Sequence, residues 1–298
     1  MTPSEDFDSG PNALSHLAQL AMTAAVDAGQ YIVAQRPRDL GVSSKSTATD
    51  VVTIMDARAE ARLRELILQA RPQDGFFGEE DTRVAGTSGL TWVVDPIDGT
   101  VNYLYGWPNY SVSVAVVTGD PALPGGWAPQ AGAVYQPVTG DLFHARVGGG
   151  AWLRYVGHCV SADRAIQVAD PQPLAECLVG TGFAYHASTR REQAQVLVEL
   201  VGAVRDIRRA GSAALDLCMV ARGQLDAYYE RGVNPWDVAA GWLLVAEAGG
   251  LVSGLPGGSI GAGGIVAGSP SAHRDLMAVL ADGQGGSGAT TAGPVGHP

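Results

Sequence analysis

Four apolar runs follow one another between residues 91 and 147: TWVVD, YSVSVAVVTG, AGAVYQP and DLFHARV. Each is short and bounded by Gly, Pro or Asn, a pattern that predicts successive strands joined by turns. The segment GGGAWL extends this β-rich part; its glycines lack the Gly-Lys-Ser/Thr ending of a phosphate loop and predict a hairpin. Two helical patterns come first. Residues 13–35 carry Leu14, Leu17, Leu20, Ala21, Ala24, Ala28 and Ile32 at helical spacing, ended by Pro37, and ARAEARLRELILQA at 57–70 is a charged amphipathic helix stopped by Pro72. Beyond a boundary at 160–175 the pattern alternates. CLVGTGF, DIRRA, LDAYYE and GIVAGSP are strand-like, and REQAQVLVELVGAV, GSAALDLCMVARG, PWDVAAGWLLVAEA and SAHRDLMAVLA are helical. Such an order predicts a layered chain, α+β in its first part and α/β in its second. The expected division is a disordered lead-in at 1–12, an α+β subdomain with the acidic motifs at 13–160, an α/β subdomain at 161–282 and a disordered tail at 283–298, GQGGSGATTAGPVGHP, almost without core-forming residues.

The 298 residues, 46% apolar and 16% charged, suffice for a large buried core. Net charge is −11, with basic residues only in short clusters such as Arg205, Arg208 and Arg209. That argues against direct nucleic-acid binding. A protein so acidic needs cations if it handles phosphate esters. Cys159, Cys177 and Cys218 are odd in number, widely spaced and free of any CxxC, which argues for a reducing, cytoplasmic setting over a disulfide framework or zinc site. The opening MTPSEDFDSGPN is acidic and polar, unlike a signal peptide. No apolar run approaches the ~20 residues of a membrane span. The six histidines are scattered, none at metal-binding spacing.

In WVVDPIDGTVNY, residues 92–103, Asp95 and Asp98 bracket Pro96 directly after an apolar run. Carboxylates that close raise each other's pKa unless something positive sits between them. Two more acidic motifs fall at predicted element ends: GEED, with Glu79, Glu80 and Asp81, and NPWD, with Asp237 just inside a helix start. Element ends are where functional groups gather on an α/β scaffold. Taken singly, each has a plain structural reading. GEED is then a solvated loop, DPIDGT a turn whose Pro and Asp serve backbone geometry, and Asp237 a compensation of the helix dipole. Together and in this order they are far more specific.

GEED, WVVDPIDGTVNY and NPWDVAAGWLLVAEAGG resemble the signature segments of the inositol monophosphatase family. KSTATDVVTIMD and RRAGSAALDLCMVARGQLDAYYE are also similar to family segments, so the resemblance runs from about residue 13 to 282. It implies a layered αβαβα sandwich and a magnesium-dependent phosphomonoesterase, often dimeric and commonly inhibited by lithium. It also implies two or three Mg²⁺ per active site, one held by Glu79, Asp95 and the carbonyl of Ile97, a second by Asp95, Asp98 and Asp237. The residue types agree, since Mg²⁺ is a hard cation that prefers oxygen ligands. If DGTVNY opens a helix, its free N–H groups face an incoming phosphate and Gly99 lets the backbone approach. The family pattern pairs Asp56 with the Thr100 hydroxyl to hold the attacking water, with Glu79 sharing the role through its cation. The implied reaction is in-line attack of cation-activated water on phosphorus, a second cation stabilising the leaving alkoxide. No GxSxG or Cys-His arrangement suggests a covalent intermediate.

On the substrate side, the resemblance implies that Glu230 accepts hydrogen bonds from substrate hydroxyls, and that Gly211, Ser212 and Ala213 line the sugar or cyclitol face beside Asp98, Gly99 and Thr100. Lys45 matches a family lysine near the metal site; its plain reading is a loop lysine in water. Asn234 and Pro235 stand where animal members have His-Cys, which weakens strict inositol specificity while leaving the metal site intact. The expected substrate is thus a small phosphate monoester, inositol monophosphate or a similar polyol phosphate, handled by a homodimer without membrane or nucleic-acid partners. Histidinol phosphate and fructose 1,6-bisphosphate are alternatives within the superfamily, although DAYYE favours a polyol monophosphate. A regulatory protein of transcription or RNA-processing complexes, acting through protein contacts, is the alternative outside enzymology.

Overall fold

A computed structural model describes residues 10–285 apart from 48–49, 81–82, 158–161 and 261–262. Most of the expected lead-in and tail, together with Asp81 and Cys159, lies outside the described residues. The chain opens with α1 (Pro11–Ala34), the short strands β1 (Ser43–Ser44) and β2 (Val51–Val52), and α2 (Ile54–Ala70). Next come β3 (Gly75–Gly78), β4 (Arg83–Val84), β5 (Leu90–Asp98), α3 (Thr100–Tyr105), β6 (Ser111–Gly119), β7 (Trp127–Gln136), β8 (Asp141–Arg146), β9 (Ala151–Tyr155) and β10 (Arg164–Ile166). The remainder holds β11 (Leu178–Thr181), α4 (Ala187–Ala203), β12 (Asp206–Arg208), α5 (Ala213–Ala221), β13 (Ala227–Arg231), α6 (Pro235–Glu247), β14 (Leu251–Ser253), β15 (Gly264–Gly268) and α7 (Pro270–Gly285).

Two principal sheets result. An eight-stranded sheet runs β10-β9-β8-β7-β6-β5-β3-β4, antiparallel except where β3 lies parallel to β5, and a five-stranded sheet runs β12-β11-β13-β15-β14. Helices α1 and α2 cover one face of the large sheet, α5 and α6 fill the space between the sheets, and α4 and α7 lie on the outer side of the small one. The order of layers is therefore αβαβα, the architecture that the family resemblance implies.

The strand sequences explain the stacking. In β6, Val112, Val114 and Val116 face α1 and α2, whereas Ala115 and Val117 face α6. In β5, Trp92 and Val94 take the first face and Val93 the second. Strands covered on both sides have no solvent face, so their apolar residues run almost without interruption. Trp92 is wholly buried and its indole N–H donates to Asp74 Oδ2 at 2.9 Å.

Three boundaries differ from the sequence expectation. Helix α1 begins at Pro11, whose fixed φ suits the first helical turn and whose missing N–H is no loss there. Helix α7 continues to Gly285. Strand β10 pairs with β9, so the first sheet reaches Ile166, past residue 160. Among the described residues no helix is long and apolar enough to cross a membrane.

Candidate active site

The acidic motifs converge because of a fault in one strand. Residues of a regular strand alternate faces, so positions three apart point oppositely. Strand β5 pairs Asp95 with Ser113 and Asp98 with Ser111 of β6, so three steps of one strand match two of the other. This β-bulge falls between Asp95 and Asp98, a stretch that contains Pro96, which has no N–H for the ladder. The extra residue turns both aspartates toward one place. The sequence suggested that the strand stops at Asp95 and that Pro96 makes a turn; instead the strand runs through the bulge to Asp98. Asp95 Oδ1 then accepts the N–H of Ile97 at 2.9 Å.

Helix starts bring in the partners. Asp237 is the third residue of α6, and its Oδ2 accepts the N–H of Asn234 at 2.6 Å. One carboxylate oxygen from each of Asp95, Asp98 and Asp237 lies within 4.8 Å of the others. Asp98 also reaches the start of α5, where it accepts from the Ser212 hydroxyl and from the N–H groups of Ala213 at 3.3 Å and Ala214 at 2.8 Å. Asp56 is the third residue of α2. Its Oδ2 accepts the N–H of Thr53 at 2.8 Å and the Thr53 hydroxyl at 2.6 Å, while Oδ1 lies 3.1 Å from the Thr100 hydroxyl. That hydroxyl is also 3.0 Å from the Ile97 carbonyl. It has one proton, so only one of these contacts is a donated bond at a time.

Glu79 follows β3, the parallel neighbour of β5. Besides burial, its charge is among the causes that raise Asp95, so the two acids are neighbours. Lys45 Nζ stands 3.0 Å from Glu79 and 2.6 Å from Glu80, so the lysine is an ion-pair partner of the acids and not a free loop cation.

The electrostatics of this cluster are unfavourable without added positive charge. Burial is the largest cause raising Asp95 and Asp237 well above the ordinary aspartate value, and repulsion from the neighbouring acids adds to it. Asp98 is pushed up to about 7 by burial, against the lowering effect of Ser212 and Ala214. Burial also raises Glu79 and lifts Glu80 to about 7, in both cases against Lys45. Burial works against the Lys45 charge, but Glu79 and Glu80 outweigh it and hold the ammonium above its ordinary value. A set of carboxylate oxygens packed this closely and this dry suits a hard divalent cation.

Over the cluster lies a cavity of about 490 Å³ whose wall includes Asp98, Gly99, Gly211, Ala213, Glu230 and Asp237. Asp95 and Ile97 lie beneath it, 2% and 1% exposed. Glu230, near the end of β13, receives the Tyr228 hydroxyl, and burial raises its pKa. Ser212 departs from the sequence expectation. Its side chain is buried, donating to Asp98 and accepting from the N–H of Leu215, because it caps α5. Sequence reasoning missed Arg209 as a wall residue, and it missed Phe183, Tyr185, His186 and Thr189 from the connection ahead of α4 and its first turn. Arg209 was visible only as one of a basic cluster, and the others carry no local motif.

A family model described as the inositol monophosphatase family matches residues 13–284. The chain is 42% identical over 291 residues to an inositol-1-monophosphatase of Mycobacterium leprae, covering 92% of this chain and 95% of that protein. The solved structures that match include Mycobacterium tuberculosis SuhB, with TM-score 0.75 and 38% identity over 91% of this chain and 98% of that one. The extragenic suppressor protein suhB of Bartonella henselae matches with TM-score 0.78 and 34% identity, over 88% and 97%.

Proposed function

The chain belongs to the inositol monophosphatase family, and from that premise we propose that it hydrolyses inositol monophosphate or a close polyol phosphate with Mg²⁺ as its divalent cation. The observation that carries the reading is the meeting of Asp95, Asp98 and Asp237 beneath the cavity, with Thr100 and Asp56 alongside. In this reading Glu79, Asp95 and the Ile97 carbonyl would hold one cation and Asp95, Asp98 and Asp237 another. Bound there, divalent cations polarise the phosphoryl group, lower the pKa of a water and offset charge on the leaving alkoxide.

The protein's own groups do the rest. When Asp56 takes the Thr100 proton in a hydrogen bond, the lone pairs of that hydroxyl are free to accept from the attacking water and hold it in line. The N–H groups at Gly99 and Thr100 are the proposed donors to the phosphate. Gly99 has φ +95° and lies so near the backbone of Asn109 and Gly211 that only glycine fits, which supports a close backbone approach here. Glu230 keeps one oxygen for substrate hydroxyls while Tyr228 occupies the other. Gly211 and Ala213 give the cyclitol a flat wall, and Ser212 serves it indirectly by holding Asp98. Inhibition by Li⁺ and a cytoplasmic homodimer belong to the same reading. Tyr105 and Trp107, 77% and 64% exposed, offer such a dimer an apolar surface to bury.

The test is phosphate release from inositol 1-phosphate, histidinol phosphate and fructose 1,6-bisphosphate, with and without Mg²⁺. The reading expects the highest kcat/KM on inositol 1-phosphate and none after chelation. Preference for histidinol phosphate, or full turnover in chelator, would overturn it.

A further inference from the structure

Three buried carboxyl groups lie on α2 or just after it, and two of them are well partnered. Asp74 receives Arg71 through two bonds at 2.8 and 3.1 Å, the Ser88 hydroxyl at 2.7 Å and the Trp92 indole at 2.9 Å. Asp56 receives the Thr53 and Thr100 groups already described. The third, Glu60, lies one helical turn beyond Asp56 on α2 and is 1% exposed. Its Oε2 accepts the N–H of Glu80 at 2.7 Å, but its Oε1 is buried with no hydrogen-bond partner among the described residues.

An orphaned buried carboxylate oxygen costs stability. An apolar side chain would avoid that cost, so packing alone does not account for an acid here. The surroundings are nonetheless shaped to admit it. A Cβ on Gly78, at the end of β3, would collide with the Glu60 carboxylate. The absent side chain lets the carboxylate slide under the peptide that joins Glu79 to Glu80. The N–H of Glu79 is already given to the Val94 carbonyl at 3.2 Å. Lys45 draws on both acids from the other side.

We propose that Glu60 is a positioning residue for the cation site. By holding the Glu80 N–H it fixes the peptide that carries Glu79, so that the Glu79 carboxylate is set toward Asp95 before any cation arrives. This rests on the reading that Glu79 is a cation ligand.

The experiment is calorimetric titration of Mg²⁺ into the wild type and the variants E60A, E60Q, G78A and E79Q, with thermal melts of each. E60A is expected to bind about tenfold more weakly or worse, the usual loss when support behind a ligand is removed. E60Q keeps an oxygen for the Glu80 N–H and should stay within roughly threefold of wild type on the same scale. G78A should behave as E60A, because the three nearest atoms in the way belong to the Glu60 carboxyl, a flexible side-chain end that moves aside and leaves its bond. In assays, E60A and G78A should need more Mg²⁺ for half-maximal rate while kcat at saturating Mg²⁺ changes little. A lowered melting temperature with unchanged Mg²⁺ affinity would overturn the proposal, as would E60Q binding as poorly as E60A. If E60A does not fold, G78A decides alone. If E79Q binds Mg²⁺ as wild type does, the cation reading of Glu79 fails; if E79Q loses binding while E60A and G78A keep it, only the role of Glu60 fails.

Discussion

Asp95 is the residue on which the other acids of the site depend. It neighbours Glu79, whose charge adds to burial in raising its pKa, lies beside Asp98 and Asp237, and turns an oxygen back to the Ile97 N–H. Replacing it by Asn keeps the shape and withdraws a ligand from two cations in the proposed mechanism. We expect kcat/KM to fall by more than roughly 10²-fold, since even groups that merely support a ligand are worth 10–100-fold. A folded D95N, checked by circular dichroism, that keeps activity within about tenfold on that scale contradicts the assignment. Thr100 and Asp56 make a sharper case, because the 3.1 Å contact is useful only if the hydroxyl donates to Asp56 and accepts from water. T100A and D56N should each lower kcat by roughly 10²-fold or more with little change in KM. Acting as one unit, the double variant should be scarcely worse than the worse single one. Multiplied losses in that double-mutant cycle mean that the two residues work separately. At this scale the sequence showed the acids plainly, because proline, glycine and threonine punctuate them in a fixed order. Glu60 was invisible, since in ARAEARLREL it looks like any charge of an amphipathic helix and only its burial sets it apart from Glu65.

At the scale of elements, two helices aim their acids by the same device. Asp56 and Asp237 are each the third residue of a helix and accept the N–H of the residue before that helix, Thr53 and Asn234. The cap that stabilises the helix end also fixes the carboxylate that works in the site. Thr53 contributes most to this, since its hydroxyl donates to Asp56 and accepts from Met55. T53A should therefore destabilise the protein by ~1 kcal/mol, the typical loss of an N-cap. It should also lower kcat by less than D56N does, and T53S should restore both. Equal stability of T53A and wild type in urea melts would argue that the cap is idle. The helices themselves were legible from spacing and Pro or Gly stops, and so were β5 to β9 of the large sheet, whereas the two- and three-residue edge strands β4 and β10 were not. The bulge in β5 was not. Pro96 reads locally as a turn, and only pairing with β6, which local sequence does not display, keeps the strand going. Strand β14 was missed for a similar reason: three residues between glycine-rich turns carry too little pattern.

The whole molecule gathers these groups from several layers, and that makes its stability depend on cations and protons together. Asp95 and Asp98 come from the large sheet, Asp237 from the middle helical layer, and Glu230 from the small sheet. The layer order was implied by the family resemblance, the succession of patterns giving only α+β followed by α/β, and this meeting across layers is made by packing between distant segments that local pattern does not display. Repulsion in the cluster pushes the layers apart when the acids ionise. Each of these folded-state pKa values lies above its ordinary value, with Asp98 at about 7 and Asp95 and Asp237 well raised. The folded metal-free chain then binds more protons than the unfolded chain between the ordinary aspartate range and about pH 7. Its stability should fall as pH rises through that window, and further where Asp95 and Asp237 ionise. A divalent cation needs the ionised carboxylates, so it competes with protons and restores most where they have left. At a hundred times its dissociation constant, it should add ~2.7 kcal/mol, an upward shift in melting temperature of roughly 4–5 °C for a chain of this size. We predict that Mg²⁺ raises the melting temperature more at pH 8 than at pH 5.5, and that NaCl of matched ionic strength does not reproduce the shift. D98N should be more stable than wild type in chelator at pH 8 and should lose most of the Mg²⁺ shift, since it removes both the repulsion and a ligand. Scanning calorimetry at the two pH values separates the outcomes. A larger Mg²⁺ shift at pH 5.5, or metal-free stability that climbs between pH 5 and 8, means that the buried acids are balanced by the protein alone and that no cation is needed to hold the layers together.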